Sequence, residues 1–216
     1  EGMTSTAAVG KIRRLFNAQK AGHAGTLDPL AQGILPIALG EATKTVPFMM
    51  DAAKTYHFTV CWGVATTTDD REGDVLETSS HRPTDEDIED VIGAFIGNIS
   101  QVPPAFSAIK LDGRRAYDMA RAGEKPEISA RSVQVDRLTL VNRPDNDTAQ
   151  FAVDCGKGTY VRSLARDMAL KLGTFGHVHY LRRTRVGPFD EKSTIGLDIL
   201  DDLGHIAAEV LSLIHI

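Results

Sequence analysis

RSVQVDRLTLV (residues 131–141) and AQFAVDCG (149–156) both alternate apolar and polar side chains, and RPDND (143–147) separates them. Alternation with a period of two is typical of β-strands that bury one face. The Pro, Asp and Asn residues of the separating segment favour a turn. The sequence therefore predicts two antiparallel strands joined as a hairpin.

Further strands and several helices are predicted around this hairpin. KTYHFTVCWG (54–63) places Tyr56, Phe58, Val60 and Trp62 on one face of a strand, and HVHYLRRTRVGPF (177–189) predicts another strand. ATTTDDREGDV (65–75) is polar and is predicted to be a loop. The predicted helices are TSTAAVGKIRRLF with Thr4 or Ser5 as cap, GEATKTVPFMMDA disturbed by Pro47, DEDIEDVIGAFIG capped by Thr84, the end of QVPPAFSAIKLDGRRAYDMARAG after a strand and a turn at LDG, GTYVRSLARDMALKLG stopped by Gly173, and DILDDLGHIAAEVLSL.

The strands are joined by hairpins more often than they alternate with helices. This order predicts an α+β fold with a mixed, mostly antiparallel sheet and flanking helices.

Composition excludes several protein classes. With 216 residues, 42% hydrophobic residues and a mean hydropathy of −0.15, the chain resembles an ordinary globular protein. No apolar run approaches the roughly 20 residues that span a bilayer, and the first residues lack a secretory signal. Cys61 and Cys155 are far apart and belong to no metal or disulfide motif, which favours reduced thiols and a cytoplasmic protein.

The charges are segregated along the chain. The net charge is −5, but acids concentrate between Asp69 and Asp90, whereas KIRRLFNAQK, KLDGRRAYDMARAGEK and YLRRTR are basic. Each charged run can be an ordinary solvated face, and the basic runs together can form a face that binds a polyanion.

GHAGTLDPLAQG (22–33) carries one aspartate in a segment that is otherwise almost uncharged. An Asp among glycines commonly satisfies backbone amides in a turn. Alternatively, the turn presents the carboxylate, because Pro29 fixes the chain immediately after Asp28 and restricts the backbone of Asp28 itself. Residue spacing alone leaves both interpretations open.

KAGHAGTLDPLAQGILPIALGEATK (20–44) resembles the signature of the TruB-type tRNA pseudouridine synthases, which isomerise uridine 55 in the T arm of tRNA. Segments 54–75, 102–124 and 157–189 resemble successive blocks of the same family, in the same order. The resemblance extends from about residue 2 to about residue 195 and favours the stand-alone bacterial form. It implies a pseudouridine synthase catalytic fold, an isomerase activity, no cofactor and no metal.

The resemblance also implies catalytic roles for three residues. Asp28 corresponds to the nucleophilic aspartate, and Arg162 to the arginine that pairs with the nucleophile. Tyr56 corresponds to the tyrosine that stacks on the target base and accepts a proton, tasks that suit a phenol. Whether the carboxylate attacks the sugar or drives a glycal-type route stays open.

Five further residues correspond to positions that bind the RNA or line the base pocket. The target base is stacked inside a folded loop, so it must be extruded before it can react. His23 and Asp70 correspond to residues that contact the flipped nucleotides, and Lys44 to one that contacts backbone phosphate. Tyr160 corresponds to a residue beside the same site that serves packing and hydrogen bonding, and Leu181 to an apolar residue that lines the base pocket.

A metal site and a non-enzymatic role are the alternatives. His177 and His179 form an H-x-H pair on a predicted strand, but no Cys, Asp or Glu nearby completes a metal site, so we expect structural roles. The chain could instead be a tRNA-binding and folding chaperone whose catalysis is secondary or lost. In either case we expect the T-arm stem-loop of tRNA as partner, no membrane and a monomer.

The ends of the chain and one position near Asp28 depart from the family pattern. Family members usually open with a strand that carries an LDKPxG block and usually continue into a small PUA-type RNA-binding domain. We expect residues 1–216 to form a catalytic domain without that strand and without that domain. Ala24 stands where the family usually has Thr.

Overall fold

The predicted hairpin forms the middle of a sheet in the computed structural model, which describes residues 2–111 and 113–202. The chain divides into two units: residues 55–181 form one, and residues 2–54 with 182–202 are the described part of the other. The strands are β1 Ala21–His23, β2 Gln32–Gly33, β3 Ile37–Leu39, β4 Lys54–Trp62, β5 Val64–Thr66, β6 Val75–Thr78, β7 Gly97–Gln101, β8 Lys110–Leu111, β9 Arg114–Arg115, β10 Arg131–Asn142, β11 Thr148–Cys155, β12 Gly176–Val186 and β13 Phe189–Asp190. The helices are α1 Ser5–Leu15, α2 Val46–Asp51, α3 Asp85–Ile92, α4 Ala116–Arg121, α5 Val161–Lys171 and α6 Leu197–Asp202, with short 3₁₀ turns at Gly40–Thr45, Gly93–Phe95 and Glu191–Ser193.

In the unit 55–181, the main sheet has the strand order β12–β4–β11–β10–β7. Strands β10 and β11 pair antiparallel, with Leu138 opposite Val153, and β7 pairs antiparallel with the other edge of β10. An aromatic cluster on one face of the sheet consists of Phe58, Trp62 and Phe151. The two phenylalanine rings are stacked, with their centroids 5.3 Å apart. The predicted hairpin and the inward alternation of β4 are confirmed, as is the α+β class.

The helix caps of this unit follow from local sequence. Thr84 accepts a hydrogen bond from the backbone N–H of Asp87, and the Asp87 carboxylate accepts one from the Thr84 N–H, which together form a capping box. Helix α5 buries most of its residues and ends before Gly173, whose φ of 73° is the left-handed conformation that ends many helices.

The segment 65–75 is only partly a loop, because Val64–Thr66 and Val75–Thr78 pair as a small hairpin.

In the other unit, β1 and β3 pair antiparallel and β2 runs parallel to the second half of β12. Thr4 caps α1 by accepting a hydrogen bond from the Ala7 N–H. The segment 40–52, in which Pro47 was expected to disturb a helix, is divided into the 3₁₀ turn Gly40–Thr45 and the short helix α2. Pro47 lies in the first turn of α2, where its missing N–H leaves no bond unmade. The predicted last helix begins as α6, and its continuation from residue 203 lies outside the described residues.

Candidate active site

The loop that carries Asp28 connects β1 to β2 and is hydrogen-bonded to the protein at several points. Ser5 at the start of α1 accepts a hydrogen bond from the Leu27 N–H at 2.9 Å and donates one to the Leu27 carbonyl at 3.2 Å. The Ala31 N–H donates to the Asp28 carbonyl at 2.9 Å, which closes a β-turn with Pro29 at its second position. The Asp28 backbone therefore has a fixed conformation between two anchored residues, and its side chain is half-buried.

Arg183 of β12 packs against the same loop and is only 1% exposed. Its Nε donates to the Ile34 carbonyl at 2.8 Å, and its Nη2 donates to the Gly25 carbonyl at 3.1 Å. Arg183 belongs to the basic run YLRRTR, for which a solvated face was one interpretation, but this side chain is buried. The alternation of β12 gave a signal for its burial, because Arg183 lies two residues after the buried Leu181 and so faces the same side of the strand.

His23 ends β1, opposite Ile37 of β3, five residues before Asp28. Its Nδ1 is buried and finds no hydrogen-bond partner among the residues that the structure describes. Burial lowers the pKa of the imidazole from 6.5, and the positive charge of Arg183 lowers this pKa further. His23 is therefore neutral at pH 7 and offers a ring nitrogen and an aromatic face.

Lys44 lies on the exposed surface of the 3₁₀ turn Gly40–Thr45. Its ammonium group pairs with Glu41, and about three quarters of each side chain is exposed to solvent. An exposed ion pair of this kind contributes little to stability, so Lys44 can exchange Glu41 for another anion at little cost.

Arg162 is the second residue of α5 and is buried in the unit 55–181. Its Nη1 donates to the Thr68 carbonyl at 2.9 Å, and its Nη2 donates to the Phe106 carbonyl at 3.0 Å. The same Nη1 lies 3.7 Å from Oδ2 of Asp70, and both side chains of this ion pair are about 95% buried. The structure therefore brings together two of the predicted site residues, Arg162 and Asp70.

Asp70 has further hydrogen bonds around its carboxylate. The Thr68 hydroxyl donates to Oδ1 at 2.5 Å, and the Glu72 N–H donates to the same oxygen at 3.0 Å. Several donors around one buried carboxylate satisfy its oxygens and fix its orientation. In this structure Asp70 holds the loop and Arg162 in place, a role that the sequence analysis did not anticipate.

The preceding residue, Asp69, forms a second ion pair with α5. Oδ2 of Asp69 accepts a hydrogen bond from Nη1 of Arg166 at 2.8 Å. Burial raises the pKa of the Asp69 carboxyl above its usual 3.8, and the guanidinium of Arg166 partly offsets that rise. Sequence reasoning missed this pair, whose signal is the repetition of Arg at positions 162 and 166 of a helix.

The remaining predicted site residues also lie in the unit 55–181. Tyr56 is half-buried near the start of β4, and Leu181 is buried in β12. Tyr160 precedes α5, and its N–H donates to the side-chain oxygen of Gln101 at 2.8 Å. Gln101 therefore fixes the start of α5, the helix that carries Arg162.

The H-x-H pair has a structural explanation. Nδ1 of the buried His177 lies 3.0 Å from the Val64 carbonyl and donates to it, whereas His179 is exposed. Within residues 2–111 and 113–202, no group of three or more His, Cys, Asp or Glu side chains is arranged to hold a metal ion. The same residues include no helix long and apolar enough to cross a membrane.

Two family models match consecutive parts of the chain. The "TruB family pseudouridylate synthase (N terminal domain)" matches residues 13–161, and the "tRNA pseudouridylate synthase B C-terminal domain" matches residues 162–212. The first of these matches alone covers more than half of the chain.

Curated relatives and solved structures agree with these matches. A tRNA pseudouridine synthase B of Bradyrhizobium diazoefficiens is 62% identical over 207 residues, which are 96% of this chain and 60% of the relative. The corresponding protein of Caulobacter sp. strain K31 is 58% identical over 205 residues, 95% of this chain and 66% of the relative. The chain thus spans 60–66% of the length of these relatives.

A chain of an archaeal box H/ACA sRNP Nop10–Cbf5 complex superimposes with a TM-score of 0.71 at 30% identity over 96% of this chain and 52% of that one. A Cbf5–Nop10–Gar1 complex gives 0.70 at 34% identity over 93% and 51%. The chain therefore belongs to the TruB family of pseudouridylate synthases.

Proposed function

We propose that this chain isomerises uridine 55 in the T arm of tRNA to pseudouridine, with Asp28 as the nucleophile. The observation that carries the proposal is the anchored loop around Asp28, which coincides with the family's signature block. The relatives named tRNA pseudouridine synthase B support the choice of tRNA as substrate.

The reaction breaks the bond between N1 of uracil and C1′ of the ribose and forms a bond between C5 and C1′. The proton on C5 leaves, N1 gains a proton, and no electron is gained or lost. Such a reaction needs a nucleophile, a proton acceptor and a fixed geometry, because misplacing a reacting group by about 1 Å can cost about 100-fold in rate. The bonds from Ser5 to Leu27 and the turn that begins at Asp28 supply that fixed geometry for the carboxylate.

Arg162 and Tyr56 are the proposed partners of Asp28 in the reaction. The guanidinium of Arg162 is oriented by two backbone carbonyls, so it offers a fixed positive charge to an anionic group. Tyr56 is proposed to stack on the uracil and to accept the C5 proton after the ring has been rejoined to the sugar.

The other residues are proposed to hold the RNA. A neutral His23 can stack on, and hydrogen-bond to, a flipped nucleotide without competing for the negative charge of Asp28. Exposed Lys44 is proposed to bind backbone phosphate. Leu181 and Tyr160 are proposed to flank the target base, and Asp70 to contact the flipped bases or to orient Arg162.

The proposed partner is the T-arm stem-loop, and the proposed place of action is the cytoplasm, where tRNA is found. Phosphate contacts make RNA binding depend on salt. We also propose that the protein acts as a monomer, which light scattering during size-exclusion chromatography tests directly.

A product assay with two tRNA transcripts tests the proposed function. The protein is incubated with an unmodified transcript and with a transcript that carries cytidine at position 55, and pseudouridine is located by mass spectrometry of the fragments. We expect pseudouridine at position 55 of the first transcript alone. Binding of both transcripts without any product, even at enzyme excess, would contradict the proposal and favour the chaperone role.

A further inference from the structure

Two consecutive aspartates of the loop 67–74 meet two arginines of α5. Nη1 of Arg166 donates to Asp69 at 2.8 Å, and Nη1 of Arg162 lies 3.7 Å from Asp70. Because the two arginines are four residues apart, they lie on one face of the helix, about one turn from each other. One helix face thus binds both carboxylates of the loop.

This arrangement requires an unusual backbone at Asp69. In an extended chain, two successive side chains point to opposite sides, so both could not face one helix. Asp69 has a φ of +58°, and among the described residues Asn17 is the other non-glycine residue with a positive φ. Asp and Asn tolerate this left-handed conformation better than other non-glycine residues, although it still costs energy. The conformation turns the chain so that Asp69 and Asp70 both reach α5.

The ion pair with Arg166 anchors Asp69, and with it the loop, to α5. Arg166 also donates from Nη2 to the Val102 carbonyl at 2.8 Å and from Nε to Asp167 at 2.9 Å, so its guanidinium has a fixed orientation. The side chains of Asp69 and Arg166 are 16% and 24% exposed, which limits screening of the pair by solvent. The backbone of Asp69 is held too, since its carbonyl accepts the Val178 N–H at 3.0 Å.

We propose that Asp69 is a positioning residue: its left-handed backbone and its ion pair with Arg166 hold Asp70 against Arg162. This inference rests on the proposed function, in which Arg162 is a partner of the nucleophile Asp28. Asp69 acts through Asp70 and Arg162 rather than on the RNA, so its loss lowers kcat more than it weakens substrate binding.

The test compares Asp69→Asn, Asp69→Gly and the control Asp74→Asn, which removes the same charge from an exposed position of the same loop. Both substitutions at position 69 remove the ion pair but allow the left-handed backbone. We expect kcat for a tRNA transcript to fall about tenfold in both Asp69 variants, as for a misplaced reacting group, with KM changed less than about twofold. Asp74→Asn is expected to retain the wild-type kcat. Wild-type kcat in both Asp69 variants would refute the ion-pair role.

A measurement of stability keeps the inference testable without activity. The melting temperatures of Asp69→Asn, Asp70→Asn and the double variant form a cycle, and residues in one network give non-additive losses. We expect the double variant to lose less than the sum of the two single losses, and additive losses would overturn the inference. A wild-type protein that makes no pseudouridine would contradict the proposed function while the melting cycle still decides the role of Asp69.

Discussion

Gly33 of β2 lies directly against the backbone of Arg183 in β12, and the substitution Gly33→Ala is expected to destabilise the protein strongly. A Cβ atom at position 33 would lie 2.1 Å from the carbonyl oxygen and 2.9 Å from the carbonyl carbon of Arg183, and Gly33 has a φ of +100°. Backbone atoms of a paired strand cannot move aside as the end of a flexible side chain can, so β2 must separate from β12.

The magnitude follows from what is lost. The left-handed conformation costs an L residue about 1–2 kcal/mol. Separation of the strands also breaks the hydrogen bond from the Ile34 N–H to the Arg183 carbonyl, which is worth about 1 kcal/mol. A total of about 2–3 kcal/mol lowers the Tm by roughly 4–12 °C for a chain of this size.

Gly40→Ala is the matched control, and thermal unfolding followed by circular dichroism is the assay. Gly40 also has a positive φ, of +55°, but none of the described atoms lies within 4 Å of its added Cβ. It therefore carries the conformational cost without the clash. A Gly33→Ala variant that melts no lower than Gly40→Ala would refute the reasoning.

Three further predictions concern Ser5, His23 and Asp70. Ser5→Ala removes both hydrogen bonds to Leu27 and is expected to lower the free energy of unfolding, measured by urea titration, by about 1–2 kcal/mol. If Ser5→Ala lowered it no more than a Ser→Ala change at an exposed position does, the result would contradict this prediction. The ring of His23 is expected to titrate below 6.5 in NMR spectra; since the unfolded state then binds more protons, stability falls as the pH drops through 6.5 toward the folded pKa, and His23→Gln flattens this dependence. Asp70→Asn removes the carboxylate that pairs with the buried Arg162 and is expected to lower the free energy of unfolding by about 3–5 kcal/mol. A loss below about 1 kcal/mol, which is typical of an exposed ion pair, would argue against a structural role of Asp70.

Local signals in the sequence were sufficient to predict much of the fold. The hairpin of β10 and β11, the caps at Thr4 and Thr84 and the stop at Gly173 depend on residues within a few positions of each other. The small hairpin of β5 and β6 was missed because its strands have only three and four residues, too few to give a clear alternation.

The networks around the candidate site could not be read from local sequence. Arg183 contacts Gly25 across 158 residues, and Arg166 contacts Asp69 across 97 residues. An arginine in a polar run predicts an exposed side chain, and only tertiary packing shows that backbone carbonyls surround it. The resemblance identified the candidate residue Arg162, but not its burial or its ion pair with Asp70.

The most direct test of the proposed mechanism is tritium release from tRNA labelled at C5 of uridine, measured with Asp28→Asn. This substitution keeps the size of the side chain and the turn, and it removes the nucleophilic carboxylate. We expect single-turnover release to fall by about 10⁴-fold or more, as for the loss of other catalytic nucleophiles, while the wild-type protein and Asp28→Asn bind the T-arm stem-loop with similar affinity in fluorescence anisotropy. Release by Asp28→Asn at a rate close to that of the wild type would contradict the assignment of Asp28 as the nucleophile.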